Sequence, residues 1–205
     1  MNRQRLGPLA IKRAMDVVGA LIGLAVCGVF YFWYARRLRR ESPGPVFFSH
    51  QRTGRNGRPF RCYKYRTMTV DAERQEKELS QRSKFGAAYF KLENDHRVTS
   101  TGAWMRKHYF DELPQFWNVL RGEMSLVGPR PSTVTETVYY TERQLRRLAM
   151  KPGMTGLFQI NGHDAVEDLD SLTAIDCAYI DNWSLWLDVK LLLKTLPKVV
   201  RADGL

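Results

Sequence analysis

The sequence predicts a mainly helical α+β fold: an N-terminal re-entrant membrane helix, a small β-hairpin, and amphipathic interface helices around a compact cytoplasmic domain. Three observations predict it. Val17 to Ala35, VVGALIGLAVCGVFYFWYA, is 19 residues without a formal charge, close to what a bilayer core requires at about 1.5 Å per helical residue. Arg3, Arg5, Lys12 and Arg13 precede it and Arg36, Arg37, Arg39 and Arg40 follow it. Four cations against four give no preferred direction of crossing, and both clusters stay cytoplasmic if the segment dips in and returns, bending near Gly28. Beyond it, turn-rich segments with a period of two give way to stretches of helical period.

The elements follow in order. ESPGP breaks the first helix, and residues 1–41 form the membrane-associated part, with 42–205 as one cytoplasmic unit. Val46 to Gln51 and Pro59 to Arg66 read as two strands around RTGRNGR. Phe60, Cys62, Lys64 and Arg66 share a face of the second strand, so two cations project together. Val70 to Lys84 is charged, lacks an apolar stripe, and reads as an exposed helix or loop. Thr101 is placed to cap a short helix carrying Trp104, Met105 and Arg106.

Next comes HYFDELPQFWNVLRGEMSLVGPRP, where Asp111 and Glu112 stand side by side before an apolar face of Leu113, Phe116, Trp117 and Leu120. Taken alone, the segment favours Asp111 as an N-cap, because acidic residues offset the positive end of a helix. Pro129 and Pro131 stiffen the chain on either side of Arg130. A helical stretch near Glu136 to Met150 leads into KPGMTGLFQINGHD, read as a turn, a short strand and another turn. Leu169, Leu172, Ile175 and Tyr179 mark a helix, and Ser184 caps another running to about Leu196. Trp183 and Trp186 with Lys190, Lys194 and Lys198 give that end an interfacial character.

The 205 residues suffice for a core without disulfides. Three isolated cysteines and four scattered histidines lack structural-zinc spacing. A net charge of +11 asks for a polyanionic partner. Nucleic acid is disfavoured, because it leaves the apolar run and the acidic pair without a role. The apolar run is too long for a signal peptide and lacks a small-residue cleavage pattern.

With YKYRTM, NDHRVTSTGAWMRK, DELPQFWNVLRGEMSLVGPRP, KPGMTGLFQING and WSLWLDVKLLLKT in order, the chain resembles the bacterial sugar transferases, or monotopic phosphoglycosyl transferases, from about Lys12 to Pro197. The resemblance implies transfer of a sugar 1-phosphate from a UDP-sugar to polyprenyl (undecaprenyl) phosphate, releasing UMP through a covalent aspartyl-phosphosugar intermediate. That reaction starts exopolysaccharide or glycoconjugate assembly at the bacterial cytoplasmic (inner) membrane. It makes Asp111 the nucleophile and Glu112 its catalytic neighbour and Mg²⁺ ligand, with Arg106, Arg130, Lys64 and Arg66 orienting phosphate oxygens. His163 stands where the family commonly has an arginine, and Gly28 and Val29 where many relatives have a Ser-Pro pair. The implied partners are a UDP-sugar, polyprenyl phosphate and membrane lipids, without nucleic acid, and a homodimer is compatible with it. The alternatives are a metal-dependent glycosyltransferase built on Asp168 to Asp170 and releasing UDP, or a non-catalytic membrane scaffold of the same fold.

Overall fold

A computed structural model describes residues 6–72, 95–161 and 168–201. One helix dominates it. α1, Leu6–Glu41, runs unbroken through Gly28 for 36 residues, about 54 Å at 1.5 Å per residue. Its buried residues include Lys12, Asp16, Ala20, Cys27, Tyr34 and Leu38, steps of four and seven that trace one face. That face packs on the rest of the protein from end to end. Lys12 Nζ donates to Val127 O (2.9 Å) and Asp188 Oδ2 (2.7 Å), and Asp16 Oδ1 accepts from Ser125 Oγ and Leu126 N. Arg13 donates to the Val119 and Leu120 carbonyls. Near the middle Gly23 admits the Phe116 ring, which a Cβ there would meet at 2.4 Å. At the far end Tyr34 OH donates to Arg66 O, and Glu41 accepts from the Thr101 backbone. The opposite face exposes Val18, Ile22, Val29 and Phe32.

β1 (Phe47–Thr53) and β2 (Pro59–Tyr65) form the predicted antiparallel hairpin, with β4 (Ser132–Thr133) added to the other edge of β1. A second, parallel pair joins β3 (Ser125–Val127) to β5 (Gly153–Thr155). One face of the hairpin meets α1: the Tyr65 ring lies between Phe47 (centroids 5.3 Å) and Tyr34 (5.1 Å). The other face carries Phe60 and Cys62 into a cluster with Ala20, Val119 and Met124.

Local expectations are corrected at several points. α2, Ser100–Lys107, is capped by Thr99, whose side chain accepts from Gly102 N; Thr101 is turned instead to Glu41. In α3, Gln115–Arg121, the buried residues are Gln115, Asn118 and Val119, while Trp117 is 46% exposed. The reason is that β2 is an edge strand, whose free backbone groups need partners. Asn118 supplies them, donating to Arg61 O (2.6 Å) and accepting from Tyr63 N (3.1 Å). Gly122, at φ 78°, ends α3 in the left-handed region that glycine tolerates.

The expected helix from Glu136 to Met150 is divided into α4 (Val134–Val138), α5 (Glu142–Leu145) and a 3₁₀ turn, Arg146–Ala149. Thr133 and Thr141 each form a capping box, so the chain starts a helix twice. After β5 a helix, α6 (Leu157–Asn161), replaces the expected turn. α7 (Leu169–Asp181) begins with Asp168 as its N-cap, and α8 (Leu185–Arg201) outruns Leu196 and contains Pro197. Most of Val70 to Lys84 lies outside the described residues.

Candidate active site

Asp111 and Glu112 occupy a 3₁₀ turn, Phe110–Glu112, entered through Tyr109 in the left-handed region (φ 59°, ψ 15°). A non-glycine residue held there signals a backbone fixed by its surroundings. Asp111 caps nothing: α3 starts after Pro114 and receives no side-chain cap bond. The pair stands ahead of the helix end that Asp111 was expected to cap.

Lys64 reaches the pair from β2. Its Nζ lies 2.5 Å from Glu112 Oε1 and 3.7 Å from Asp111 Oδ2. Glu112 lines a cavity of about 530 Å³, with Lys64 beside it, while Asp111 sits behind them, only 8% exposed. The two carboxylates therefore diverge. Burial pushes Asp111 up to about 6, with Glu112 adding to the rise against the pull of Lys64 and Arg106. Burial also works against ionised Glu112, but there the Lys64 charge and hydrogen bond, helped by Arg130 and Arg52, win and hold the group below its ordinary value. Loss of water from Lys64 is likewise outweighed by the two carboxylates, and its ammonium is held above its usual range.

The other expected residues divide. Arg106 Nε donates to Thr67 Oγ1 at 2.9 Å, and its charge acts on Asp111. Arg130 is exposed on the cavity wall, its guanidinium 5.1 Å from the Phe158 ring centre. Arg66 is not brought to the site. β2 ends at Tyr65, and the Arg66 guanidinium donates to Pro45 O, Ser42 Oγ, Ser42 O and Met68 O, locking the exit of α1. His163 lies outside the described residues.

Two wall residues, His50 and Arg52, escaped the sequence reading. The signal was the hairpin register: Phe48 pairs with Lys64, His50 with Cys62 and Arg52 with Phe60, and directly opposed residues share a face. Arg52 Nη1 donates to Pro131 O at 3.0 Å, tying the hairpin to the stiff Arg130 loop. Burial, reinforced by Arg52 and Lys64, pushes His50 down to about 4, so its imidazole is neutral near pH 7.

The donor set suits Mg²⁺ in the manner that ion prefers. Among the described residues no three His, Cys, Asp or Glu side chains converge. Mg²⁺ is commonly held by one or two carboxylates, waters and substrate phosphates. Glu112, which already faces a cation at 2.5 Å, is placed for such a site once a polyphosphate enters. A polyanion would meet Lys64, Arg52 and Arg130 on the wall, with the Asp111 carboxylate 3.7 Å from Lys64 Nζ.

The family model for bacterial sugar transferases matches residues 8–202. The chain is 47% identical over its whole length to "Galactosyl transferase CpsE" of Streptococcus agalactiae, of which it covers 45%. Over 95% of its length it is 42% identical to "Undecaprenyl-phosphate galactose phosphotransferase" of Salmonella typhimurium, of which it covers 41%. It is also 38% identical, over 94% of its length and 71% of the relative, to "UDP-glucose:undecaprenyl-phosphate glucose-1-phosphate transferase" of Caulobacter vibrioides. The chain thus spans less than half of the first two.

Proposed function

The chain belongs to the bacterial sugar transferase family, and from that premise we propose that it transfers a sugar 1-phosphate from a UDP-sugar to undecaprenyl phosphate. The observation that carries this reading is the buried Asp111 behind a cavity wall formed by Glu112, Lys64, Arg52 and Arg130. The names of the Salmonella and Caulobacter relatives support the substrate classes.

The reaction runs in two displacements. An Asp111 oxygen attacks the sugar-bearing phosphorus; the bond from that phosphorus to the oxygen bridging to UMP breaks, and UMP leaves with the electron pair. The sugar phosphate is then held as an acyl phosphate. A phosphate oxygen of the prenyl carrier attacks the same phosphorus, and the Asp111 carboxylate leaves. Lys64 has to move first: incoming phosphates draw its ammonium from Glu112 and Asp111 and open the way to the nucleophile. Arg52 and Arg130 neutralise the pyrophosphate from the wall, and the Arg106 charge favours the ionised form of Asp111. Glu112 would hold Mg²⁺, which would supply further charge neutralisation at the phosphates. The test is product analysis with a panel of UDP-sugars and undecaprenyl phosphate. UMP release is expected, and UDP release would instead mark a sugar-only transfer. The rival metal triplet loses its support, because Asp168 is spent as the N-cap of α7, accepting from Ser171 N at 2.7 Å.

Glu112→Gln is expected to lower activity about 10- to 100-fold, with part of the loss recovered at raised Mg²⁺. An unchanged Mg²⁺ dependence would remove Glu112 from the metal site.

Membrane attachment is proposed through the apolar outer face of α1, with both ends of the helix on the cytoplasmic side. Full-length packing supports this, because Lys12 and Glu41 touch the same protein body. Single cysteines at Gly7 and Arg40, in a background lacking the native three, are expected to resist an impermeant thiol reagent in intact cells. Both should react after permeabilisation. Labelling of one site alone in intact cells would establish a crossing helix.

A further inference from the structure

The active-site cavity has a second arm that the phosphates do not explain. Its first end is built by the hairpin, the Phe110–Glu112 turn and the Arg130 loop, and holds the cations. Its other part runs along α6 and α8, where Phe158, Leu192, Leu193, Leu196 and Val199 form the wall.

Most polar groups of this arm have partners within the protein, and the Lys198 ammonium keeps donors to spare. Thr195 Oγ1 donates to Leu191 O (2.8 Å) and lies 2.7 Å from Thr155 Oγ1, and Lys198 Nζ donates to Gln159 O (3.1 Å). Gln159 Oε1 has no partner but is itself closed off from solvent. A sugar or a nucleobase placed there would find few partners for its hydroxyls or ring edges beyond the Lys198 ammonium, at a cost in binding. An apolar chain brings no such groups and fits the leucine and phenylalanine walls. The mouth of the arm has the same character: Leu193 and Leu196 line the cavity yet are 59% and 62% exposed, and Trp186 and Val200 continue that surface along α8. An apolar surface of this kind, leading to a cationic end, complements an amphipathic anion delivered from a lipid phase.

We propose that the α6–α8 arm seats the head-proximal isoprene units of the prenyl phosphate acceptor, holding its phosphate at the cationic end while the remaining chain leaves into the bilayer over Leu193 and Leu196. The proposal rests on the transfer reaction above and adds where the acceptor lies. A volume near 530 Å³ falls in the range of cavities that enclose a drug-sized ligand. It accommodates the reacting head and the start of a prenyl chain, and nothing approaching the whole.

The test uses the full chain in nanodiscs of phosphatidylethanolamine and phosphatidylglycerol. Leu192→Trp, which fills the arm, is expected to raise the KM for undecaprenyl phosphate at least tenfold. The UMP released in a single turnover without acceptor should change far less, and Leu192→Met should restore the KM. Equal losses in both half-reactions, or an unchanged acceptor KM, would overturn the proposal. A prenyl phosphate carrying a diazirine on its first isoprene unit should label the unmodified protein on α6 or α8, between Leu157 and Val199. Labelling confined to the outer face of α1, or equal labelling of the arm by a diazirine phospholipid, would also overturn it. If the unmodified protein releases no UMP from any UDP-sugar, the transfer reaction itself fails, and the placement of the acceptor falls with it.

Discussion

Asp111→Asn is expected to lower turnover by at least about 10³-fold, the scale seen when a covalent nucleophile is removed, without loosening the fold. The amide keeps the shape of the carboxylate and cannot form the acyl phosphate. Stability should move the other way. Burial holds Asp111 up to about 6 in the folded protein, above the roughly 3.9 of an unfolded chain. The folded state therefore keeps a proton that the unfolded state has lost, and this contribution to stability is present below about pH 4 and disappears as pH rises through 6. Above pH 6 the native protein carries a poorly solvated charge that the amide lacks. Asp111→Asn should then melt at or above the temperature of its parent at pH 7.5, while its activity is gone. Substantial turnover in the purified variant would refute the covalent mechanism. A large fall in melting temperature would show instead that Asp111 serves the fold.

Much of this site was legible because its signals are local. The Gly-rich turn and alternation of the hairpin, the Asp111–Glu112 pair and the stiffened Arg130 each lie within a short segment. The parts that were not legible depend on neighbours distant in sequence. Asn118 carries no distinguishing mark in the sequence, and the free edge of β2 explains its burial. Thr99 and Thr101 are equally good caps by type; Glu41, 60 residues from Thr101, engages the second. Arg66 shares the parity of Lys64 but falls just past the end of the strand, where Ser42 and Pro45 capture it. The left-handed Tyr109, which separates α2 from the acidic pair, has no sequence mark such as glycine or asparagine.

The count of cations around the apolar run missed two distant contacts for the same reason. Lys12 and Arg13 were weighed as charges meeting the membrane surface, but Lys12 is buried against Asp188, and Arg13 is spent on carbonyls at the end of α3. The charge count thus carries less weight than the contacts. Packing now argues for both ends on one side, by fixing each half of α1 to the same body.

Lys12→Met tests that fixation and should be strongly destabilising. Asp188 is 2% exposed; it accepts from Lys12 Nζ at 2.7 Å, Tyr179 OH at 2.7 Å and Trp183 Nε1 at 3.1 Å. Methionine fills much of the lysine volume, but the carboxylate then keeps two neutral donors and no cation. Breaking one side of a buried ion pair in this way costs roughly 3–5 kcal/mol, most of it the penalty of an unmatched buried charge. At roughly 2–4 °C per kcal/mol for a domain of this size, the melting temperature should fall by about 6–20 °C. Lys12→Met with Asp188→Asn should recover a good part of the loss, because the uncompensated charge goes with the carboxylate, and the double-mutant cycle should show a coupling well above 1 kcal/mol. Arg37→Met, on a solvent-exposed stretch of the same helix, should change the melting temperature by far less. If Lys12→Met and Arg37→Met prove equivalent, the Lys12–Asp188 contact does not hold the N-terminal half of α1 to the catalytic body, and the same-side topology loses its main physical support.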